Sequence, residues 1–335
     1  MAREMAEQPG VIAGLIERRE EIRAVVRHVL PAHLCGITLV ARGSSDNAAS
    51  YGRYLLEMVA RRPAALAAPS IQTLYGARVD EEGYLCIGIS QSGQTADVVE
   101  ALGTMRSRGG HAIAIANGSA SPLAAAADVA IDLAAGEERA IPATKTFTAT
   151  LVTLAIIASA LGDVPWTDHD LLSLPGQLET LLSDHDSAER VASGLASATR
   201  VLTTARGLLL SAALETALKI RETSQIFAEG LSAADLRHGP IVAITPEVPV
   251  LAFSAPGPLA ADVAALVEVL SRRDVHVSLV SPDPTAELPL PRGVPEALQP
   301  VLGAGRGQQV ALAAARARGL DPDAPAGLSK VTLAG

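Results

Sequence analysis

A short apolar run that breaks into a small, polar turn and then into a helix recurs along the whole chain, and this alternation restricts the fold more than any other feature. Residues 37–41 (Ile-Thr-Leu-Val-Ala) are a β-branched run ending in the turn-rich segment 42–47, after which helical spacing takes over. The pattern returns with 84–89 as a strand, 90–95 as a polar loop and 96–108 as a helix. Residues 111–116 and 129–133 read as further strands, and a long apolar helix begins at Thr144. An amphipathic helix over 8–29 precedes them all. Strands alternating with helices predict an α/β fold whose sheet is parallel and covered on both faces.

The second half repeats this grammar. Residues 199–204 read as a strand, followed through Ala205-Arg206-Gly207 by a helix over 211–227; strands at 248–253 and 275–280 bracket a helix at 260–271. The runs ending in Arg42-Gly43 and in Arg206-Gly207 both pass from strand to helix at Arg-Gly, which points to an internal duplication. Residues 163–186 read as a helical linker punctuated by Pro165 and Pro175. The expected organisation is therefore an N-terminal helix at 1–30, a lobe at 31–165, a linker at 166–190, a second lobe at 191–320 and a C-terminal loop or tail at 321–335. A chain of 335 residues is long enough for two lobes with buried cores of their own.

Composition narrows the partners. Aromatic residues make up 2% of the chain and the formal net charge is −9, so there is little to stack on bases and no basic stripe to displace phosphate counterions; nucleic acid is not an expected partner. Cys35 and Cys86 lie at or inside apolar runs with neither a CxxC nor a histidine spacing, so both read as buried structural thiols, and neither a metal nor a cofactor is expected. The longest apolar stretch, 147–161, is too short to span a bilayer and carries Thr148, Thr150, Thr153 and Ser159, which makes it a buried helix and gives no role to a membrane. Residues 1–10 carry charges and lack a signal-peptide pattern, so a cytoplasmic location is expected.

In an open parallel sheet, ligands sit beyond the carboxyl ends of the strands, where free N–H groups and the helix dipole attract anions. Two loops fit that position. Gly43, Ser44 and Ser45 offer close backbone approach and two hydroxyls; Ser90, Gln91, Ser92, Gly93, Gln94 and Thr95 offer three hydroxyls, two amides and a glycine in one turn. Such neutral donors suit a phosphate without an obligatory metal. The chain has no GxxxxGK[ST] and neither loop completes GxGxxG, which removes support for nucleotide hydrolysis and for a dinucleotide fold. Any one hydroxyl, such as that of Ser45 or Thr95, is equally well explained as a helix N-cap; the density of donors over 90–95 exceeds what one cap uses.

The segment Ile89-Ser90-Gln91-Ser92-Gly93-Gln94-Thr95-Ala96-Asp97 resembles the central motif of sugar-isomerase (SIS) domains. The best match is to the isomerase half of glutamine–fructose-6-phosphate amidotransferase. The resemblance covers nearly the whole chain in ordered, separated motifs: Glu4-Met5-Ala6-Glu7-Gln8-Pro9, the stretch from Ala135-Gly136 to Thr148, the stretch from Ala213 to Glu222, Leu236-Arg237-His238-Gly239-Pro240 and Leu328-Ser329-Lys330-Val331-Thr332. It implies two tandem SIS domains, each a parallel sheet flanked by helices in a flavodoxin-like three-layer sandwich, with a sugar phosphate as the small-molecule partner.

The same resemblance assigns roles. Glu215, Lys219 and Glu222 fall at i, i+4 and i+7 along one helical face. Taken alone this is an ordinary exposed charge pattern, and Glu215 is read that way. Aldose–ketose chemistry needs a base to carry a proton between neighbouring carbons, and the family motif makes Glu222 that base, with Lys219 near the reacting carbonyl. His238 is either a turn residue or the group that opens the sugar ring; the family places this histidine in the partner subunit's site, which implies a homodimer. Lys330 sits where a lysine is ordinarily a solvated tail, but it matches the family lysine that forms an imine or stabilises an enediolate. Two departures soften the match: the serine that follows the family lysine is absent after Lys330, and Ala143 replaces a serine, leaving substrate contacts there to Thr144.

Position 2 is Ala2, where the amidotransferase has a nucleophilic cysteine opening a glutaminase domain, so glutamine is not expected as the nitrogen source. The favoured reaction is conversion of glucosamine 6-phosphate to fructose 6-phosphate and ammonia. A plain aldose–ketose isomerase and a fructosamine-6-phosphate deglycase are the alternatives within the enzymes. A sugar-phosphate-sensing regulatory protein is the alternative outside them, though no basic helix-turn-helix accompanies the lobes.

Overall fold

Two parallel five-stranded sheets, each flanked by helices, carry the chain, and the computed structural model describes residues 1–330 of it. Each sheet anchors its own unit. The N-terminal sheet unit takes in Gly10–Glu138, Lys145–Pro165 and, of the described residues at the end, Ser329 and Lys330; the C-terminal sheet unit takes in Met1–Pro9, Arg139–Thr144 and Trp166–Leu328. Val331 and Thr332, the last part of the C-terminal motif, lie outside the described residues.

Helices α1 (Ala2–Glu17) and α2 (Arg19–Val29) open the chain, followed by β1 (Gly36–Val40), α3 (Ser44–Ala60), β2 (Ala64–Leu66), α4 (Ser70–Thr73), β3 (Tyr84–Ser90), α5 (Ala96–Ser107), β4 (His111–Ala116), α6 (Pro122–Ala126), β5 (Val129–Asp132) and α7 (Lys145–Leu161). The single opening helix expected over 8–29 is thus two helices that break at Arg18. The first runs through Pro9, whose missing N–H leaves the Met5 carbonyl without its helical donor; Gln8 Nε2 donates to that carbonyl instead at 3.1 Å.

The strands pair in the order β2-β1-β3-β4-β5, all parallel, with Ile37 opposite Leu85 and Ile87 opposite Ile113. From Leu85 to Ser90 every residue of β3 is buried, as expected of a strand covered on both faces. Helix α7 is buried from Lys145 to Ala158, all round its circumference. Its threonines are tolerated there because Thr148, Thr150 and Thr153 donate to the carbonyls of Lys145, Thr146 and Ala149 at 3.1, 2.7 and 2.9 Å. No helix among the described residues is long and apolar enough to cross a membrane.

The C-terminal sheet unit contains α8 (Asp168–Ser183), α9 (Asp186–Leu195), β6 (Arg200–Ala205), α10 (Leu210–Ser224), β7 (Phe227–Ser232), α11 (Ala233–Arg237), β8 (Val250–Phe253), α12 (Ala260–Ser271), β9 (Val277–Ser281), β10 (Leu288–Pro289) and α13 (Gln299–Ala317). Its strands pair in the order β10-β9-β8-β6-β7, again all parallel. Counted from the first strand of its own sheet, this is the same order as in the other unit, so the duplication read from the two Arg-Gly breaks extends to the whole topology.

Helix α13 packs along α10, and Gly307 makes the close approach possible: a Cβ there would lie 1.8 Å from Thr216 Oγ1. The helix expected over 211–227 stops at Ser224, with Gln225 in the left-handed region at φ +53°, and Phe227 opens β7 instead. The two cysteines also part company. Cys86 is buried in β3, where burial pushes its thiol above the usual range, whereas Cys35 lies before β1 and is exposed, contrary to its apolar sequence context.

Candidate functional site

In the order β2-β1-β3-β4-β5 the connections leaving β1 and β3 go to opposite directions along the sheet, which opens a crevice at the carboxyl ends of these two neighbours. Gly43, Ser44 and Ser45 follow β1, and Ser90 through Thr95 close β3, so the topology brings both candidate phosphate loops to that crevice. Gly43 is the N-cap of α3 and its carbonyl accepts from Asp46 N and Asn47 N at 3.0 and 3.1 Å; Thr95 is the N-cap of α5. Arg42 ties the two loops together, its guanidinium meeting Asp97 Oδ2 in the first turn of α5 at 2.7 and 2.8 Å.

The second loop is folded by its own backbone. Gly93 N donates to Ser90 O at 3.1 Å, Gly93 O accepts from Leu123 N at 3.0 Å, and Gln91 O accepts from Asn117 N at 3.0 Å. Gly93 has φ +64°, and a Cβ there would lie 2.3 Å from Ser121 Oγ, so both conformation and space demand glycine. The Thr95 hydroxyl does not cap α5; it lies 2.9 Å from Ser90 Oγ. Ser92 Oγ accepts from Gln94 N at 3.2 Å. Two helix N-termini and a turn rich in hydroxyls and amides thus converge, a set of donors that can hold a phosphate with neutral groups.

Beside this loop lies a residue that the sequence did not single out. Glu138, whose side chain is buried, accepts from Thr146 N at 3.2 Å and from Thr146 Oγ1 at 2.8 Å, at the start of α7. Its Oε2 also accepts from Gln91 Nε2 at 2.9 Å and from Lys330 Nζ at 3.3 Å. Lys330 is therefore brought to the Ser90–Thr95 loop through one carboxylate, within a single unit. In the sequence, Glu137-Glu138 looks like a solvated acidic pair; the available signal was its place eight residues before Thr146 in the family motif.

The other candidates belong to the C-terminal sheet unit. On α10, Lys219 Nζ lies 2.6 Å from Glu222 Oε2 and 3.3 Å from Glu215 Oε1. Lys219 and Glu215 are each 1% exposed and Glu222 is 24% exposed, so the reading of Glu215 as a solvated charge is corrected: it is buried beside the Lys219 ammonium. Burial disfavours the Lys219 ammonium, but the two carboxylates outweigh it and hold the group above its ordinary pKa. Glu222 keeps partial access to solvent while a buried cation fixes its position. That is a suitable setting for a carboxylate that exchanges a proton with a substrate.

His238 is exposed at the C-cap of α11, its backbone N–H donating to Asp235 O at 3.0 Å. Among the described residues its imidazole has neither a hydrogen bond nor an ion pair. Thr144 is fully buried, and its carbonyl accepts from Gln308 Nε2 at 3.2 Å.

The family model of the SIS domain matches residues 36–160 and 194–286, one stretch over each sheet. A glutamine–fructose-6-phosphate aminotransferase from Gloeobacter violaceus is 36% identical over 98% of this chain, which spans 58% of that protein. The chain thus covers little more than half the length of such curated relatives. A crystal structure from Silicibacter pomeroyi DSS-3, provisionally named a phosphosugar isomerase, superposes with a TM-score of 0.85 at 30% identity over 96% of this chain and 99% of that one. Glucosamine-6-phosphate deaminase from Thermotoga maritima shares the fold at a TM-score of 0.75 and 21% identity, over 94% and 98% of the two chains. The duplicated sheet order, the hydroxyl-rich turn after β3 and these matches across both sheets have one reading: the chain belongs to the SIS-domain family.

Proposed function

We propose that this chain converts glucosamine 6-phosphate into fructose 6-phosphate and ammonia, without glutamine, by moving a proton between the first two carbons of the open sugar. The observation that carries this reading is the Glu215–Lys219–Glu222 cluster, in which a partly exposed carboxylate is steadied 2.6 Å from a buried ammonium. In the proposed sequence, His238, supplied to the partner's site in a homodimer, transfers the proton that opens the ring. Glu222 takes the proton from C2 and returns it to C1, with Lys219 beside the reacting oxygen. The resulting 2-imine adds water and releases ammonia, leaving the ketose. Lys330 stabilises the enediolate or forms an imine with the ketose.

Gly43, Ser44, Ser45, Ser90, Gln91, Ser92, Gly93 and Thr95 hold the phosphate, and Thr144 supports the substrate contacts of its stretch. In this reading the SIS domains run over 31–165 and 191–320, and the charged substrate places the enzyme in the cytoplasm. The names of the Gloeobacter and Silicibacter relatives, which point to sugar-phosphate isomerisation, agree with it.

The test is ammonia release from glucosamine 6-phosphate, with fructose 6-phosphate assayed as co-product, for the wild type and Glu222→Gln. Loss of the general base is expected to slow release by about 10²–10⁴-fold. Absence of release from the wild type refutes the deaminase reading. Isomerisation of an unaminated hexose phosphate, or hydrolysis of an N-substituted fructosamine 6-phosphate to a hexose phosphate and the free amine, then identifies the isomerase or the deglycase, and binding without turnover identifies a sensor.

A further inference from the structure

From the contacts of Glu138 we infer that this residue is a positioning residue, which fixes Lys330 against the phosphate loop by holding Lys330 Nζ and Gln91 Nε2 on one carboxylate oxygen. The inference rests on the sugar-phosphate reading above and assigns a role to a residue that reading does not use.

The geometry has two parts. The first is a post set by the scaffold: Thr146 supplies two donors to Glu138, one from the backbone at 3.2 Å and one from the hydroxyl at 2.8 Å. Both lie in the first turn of the 17-residue helix α7, where the helix dipole favours a carboxylate. The carboxylate therefore has a fixed position and satisfied hydrogen bonds whether or not Lys330 is present. The second part is on Oε2, which besides the Thr146 hydroxyl accepts from Gln91 Nε2 at 2.9 Å and from Lys330 Nζ at 3.3 Å. Two groups bonded to one oxygen stay within about 6 Å of each other. A free lysine stem samples many rotamers, and the segment that bears Lys330 is turn and coil. Lys330 is 25% exposed, while the Glu138 side chain is fully buried. A charge-assisted bond to a dry, immobile carboxylate is what keeps this ammonium at a defined place beside the loop.

The role is positioning, because Glu138 reaches the substrate only through its neighbours. Gln91 belongs to the turn proposed to hold the phosphate and Lys330 to the reacting end of the sugar. One carboxylate thus sets the spacing between the two ends of substrate recognition.

A double-mutant cycle with Glu138→Gln, Lys330→Ala and the combination tests this, with Glu138→Asp as the conservative variant. Two readouts are taken: kcat for ammonia release, and the Kd of fructose 6-phosphate by calorimetry, which does not depend on turnover. Glu138→Gln is expected to lower kcat by about tenfold and to weaken Kd several-fold, because an amide nitrogen cannot accept from Lys330 or Gln91. The combined variant is expected to match Lys330→Ala alone in kcat, and Glu138→Asp to recover part of the loss. Multiplying losses in the combined variant, or wild-type kcat and Kd for Glu138→Gln, overturn the inference, since a residue with only a folding role gives independent effects.

If Glu138→Gln does not fold, a cycle of Gln91→Ala with Lys330→Ala, both partly exposed, is read on Kd instead. Coupling of at least about threefold supports the shared post, and additivity overturns it. A wild type that binds fructose 6-phosphate but releases no ammonia refutes the deaminase reading alone, and the cycle is then read on Kd. A wild type that binds no hexose phosphate refutes both.

Discussion

Replacing Lys219 by methionine is expected to be among the most destabilising single changes in the C-terminal sheet unit, and its size follows from the burial of α10. Methionine nearly fills the lysine volume, so little is lost in packing, but it removes the cation 3.3 Å from Glu215 Oε1. Glu215 is 1% exposed and would lose the buried cation beside it, and removing one partner of a buried ion pair costs about 3–5 kcal/mol. A domain of this size loses about 2–4 °C of Tm per kcal/mol, so the midpoint should fall by roughly 10 °C. Adding Glu215→Gln to Lys219→Met removes the buried carboxylate that lost this cation and should restore at least half of the loss. The more exposed Glu222 can turn to water.

The pH dependence carries its own sign. Lys219 is held above its ordinary pKa in the fold, so its contribution is complete below about pH 10.4 and is lost as the pH rises through the folded value. The gap between wild type and Lys219→Met should be constant from pH 7 to 9 and narrow in stronger alkali. Denaturant titrations of the three proteins across that range decide the matter. A Lys219→Met cost below about 1 kcal/mol, or a double variant no more stable than the single one, would refute the argument.

Two further changes probe backbone positions. Gly93→Ala forces φ +64° on a residue with a Cβ, at about 1–2 kcal/mol, and drives that atom to 2.3 Å from Ser121 Oγ; sugar-phosphate KM should rise at least about tenfold, and an unchanged KM would separate this turn from the phosphate. Gly307→Ala gains about 1 kcal/mol of helix propensity but places a methyl 1.8 Å from Thr216 Oγ1, and overpacking of up to about 3 kcal/mol should leave a net loss near 2 kcal/mol in denaturant unfolding.

The elements legible in the sequence are those whose apolar runs are long and uninterrupted. β4 coincides with its predicted run, β3 exceeds its run at 84–89 only by Ser90, and α12 spans Ala260–Ser271 as expected. Those that escaped lack such a run. β2 has three residues, β10 has two with Pro289 among them, and β7 mixes Phe227, Glu229 and Gly230, so pairing with β6 rather than composition makes it a strand. The helix over 211–227 was drawn too long because neither glycine nor proline marks its end; Gln225 takes the left-handed position itself.

In the site, Glu138 and Glu215 were illegible for one reason. A charged residue declares its burial only through its surroundings in the fold: for Glu138 the Thr146 donors and Lys330, for Glu215 the buried Lys219. The loops at 43–45 and 90–95 were legible because backbone-permissive glycines and clustered hydroxyls are properties of the sequence itself.

The way the chain is shared between its units bears on its synthesis. Met1–Pro9 belong to the unit built around the later sheet, and Ser329 and Lys330 to the unit built around the earlier one. As the polypeptide leaves the ribosome, the first sheet can pair early, but the residue expected to complete its site emerges some 160 residues after that unit's penultimate segment ends at Pro165. The opening residues, for their part, must wait for a unit not yet made. Neither half can finish before the chain has emerged as far as Leu328 and Lys330, and nascent chains cut just before Lys330 should hold a paired first sheet whose Glu138 still lacks its lysine.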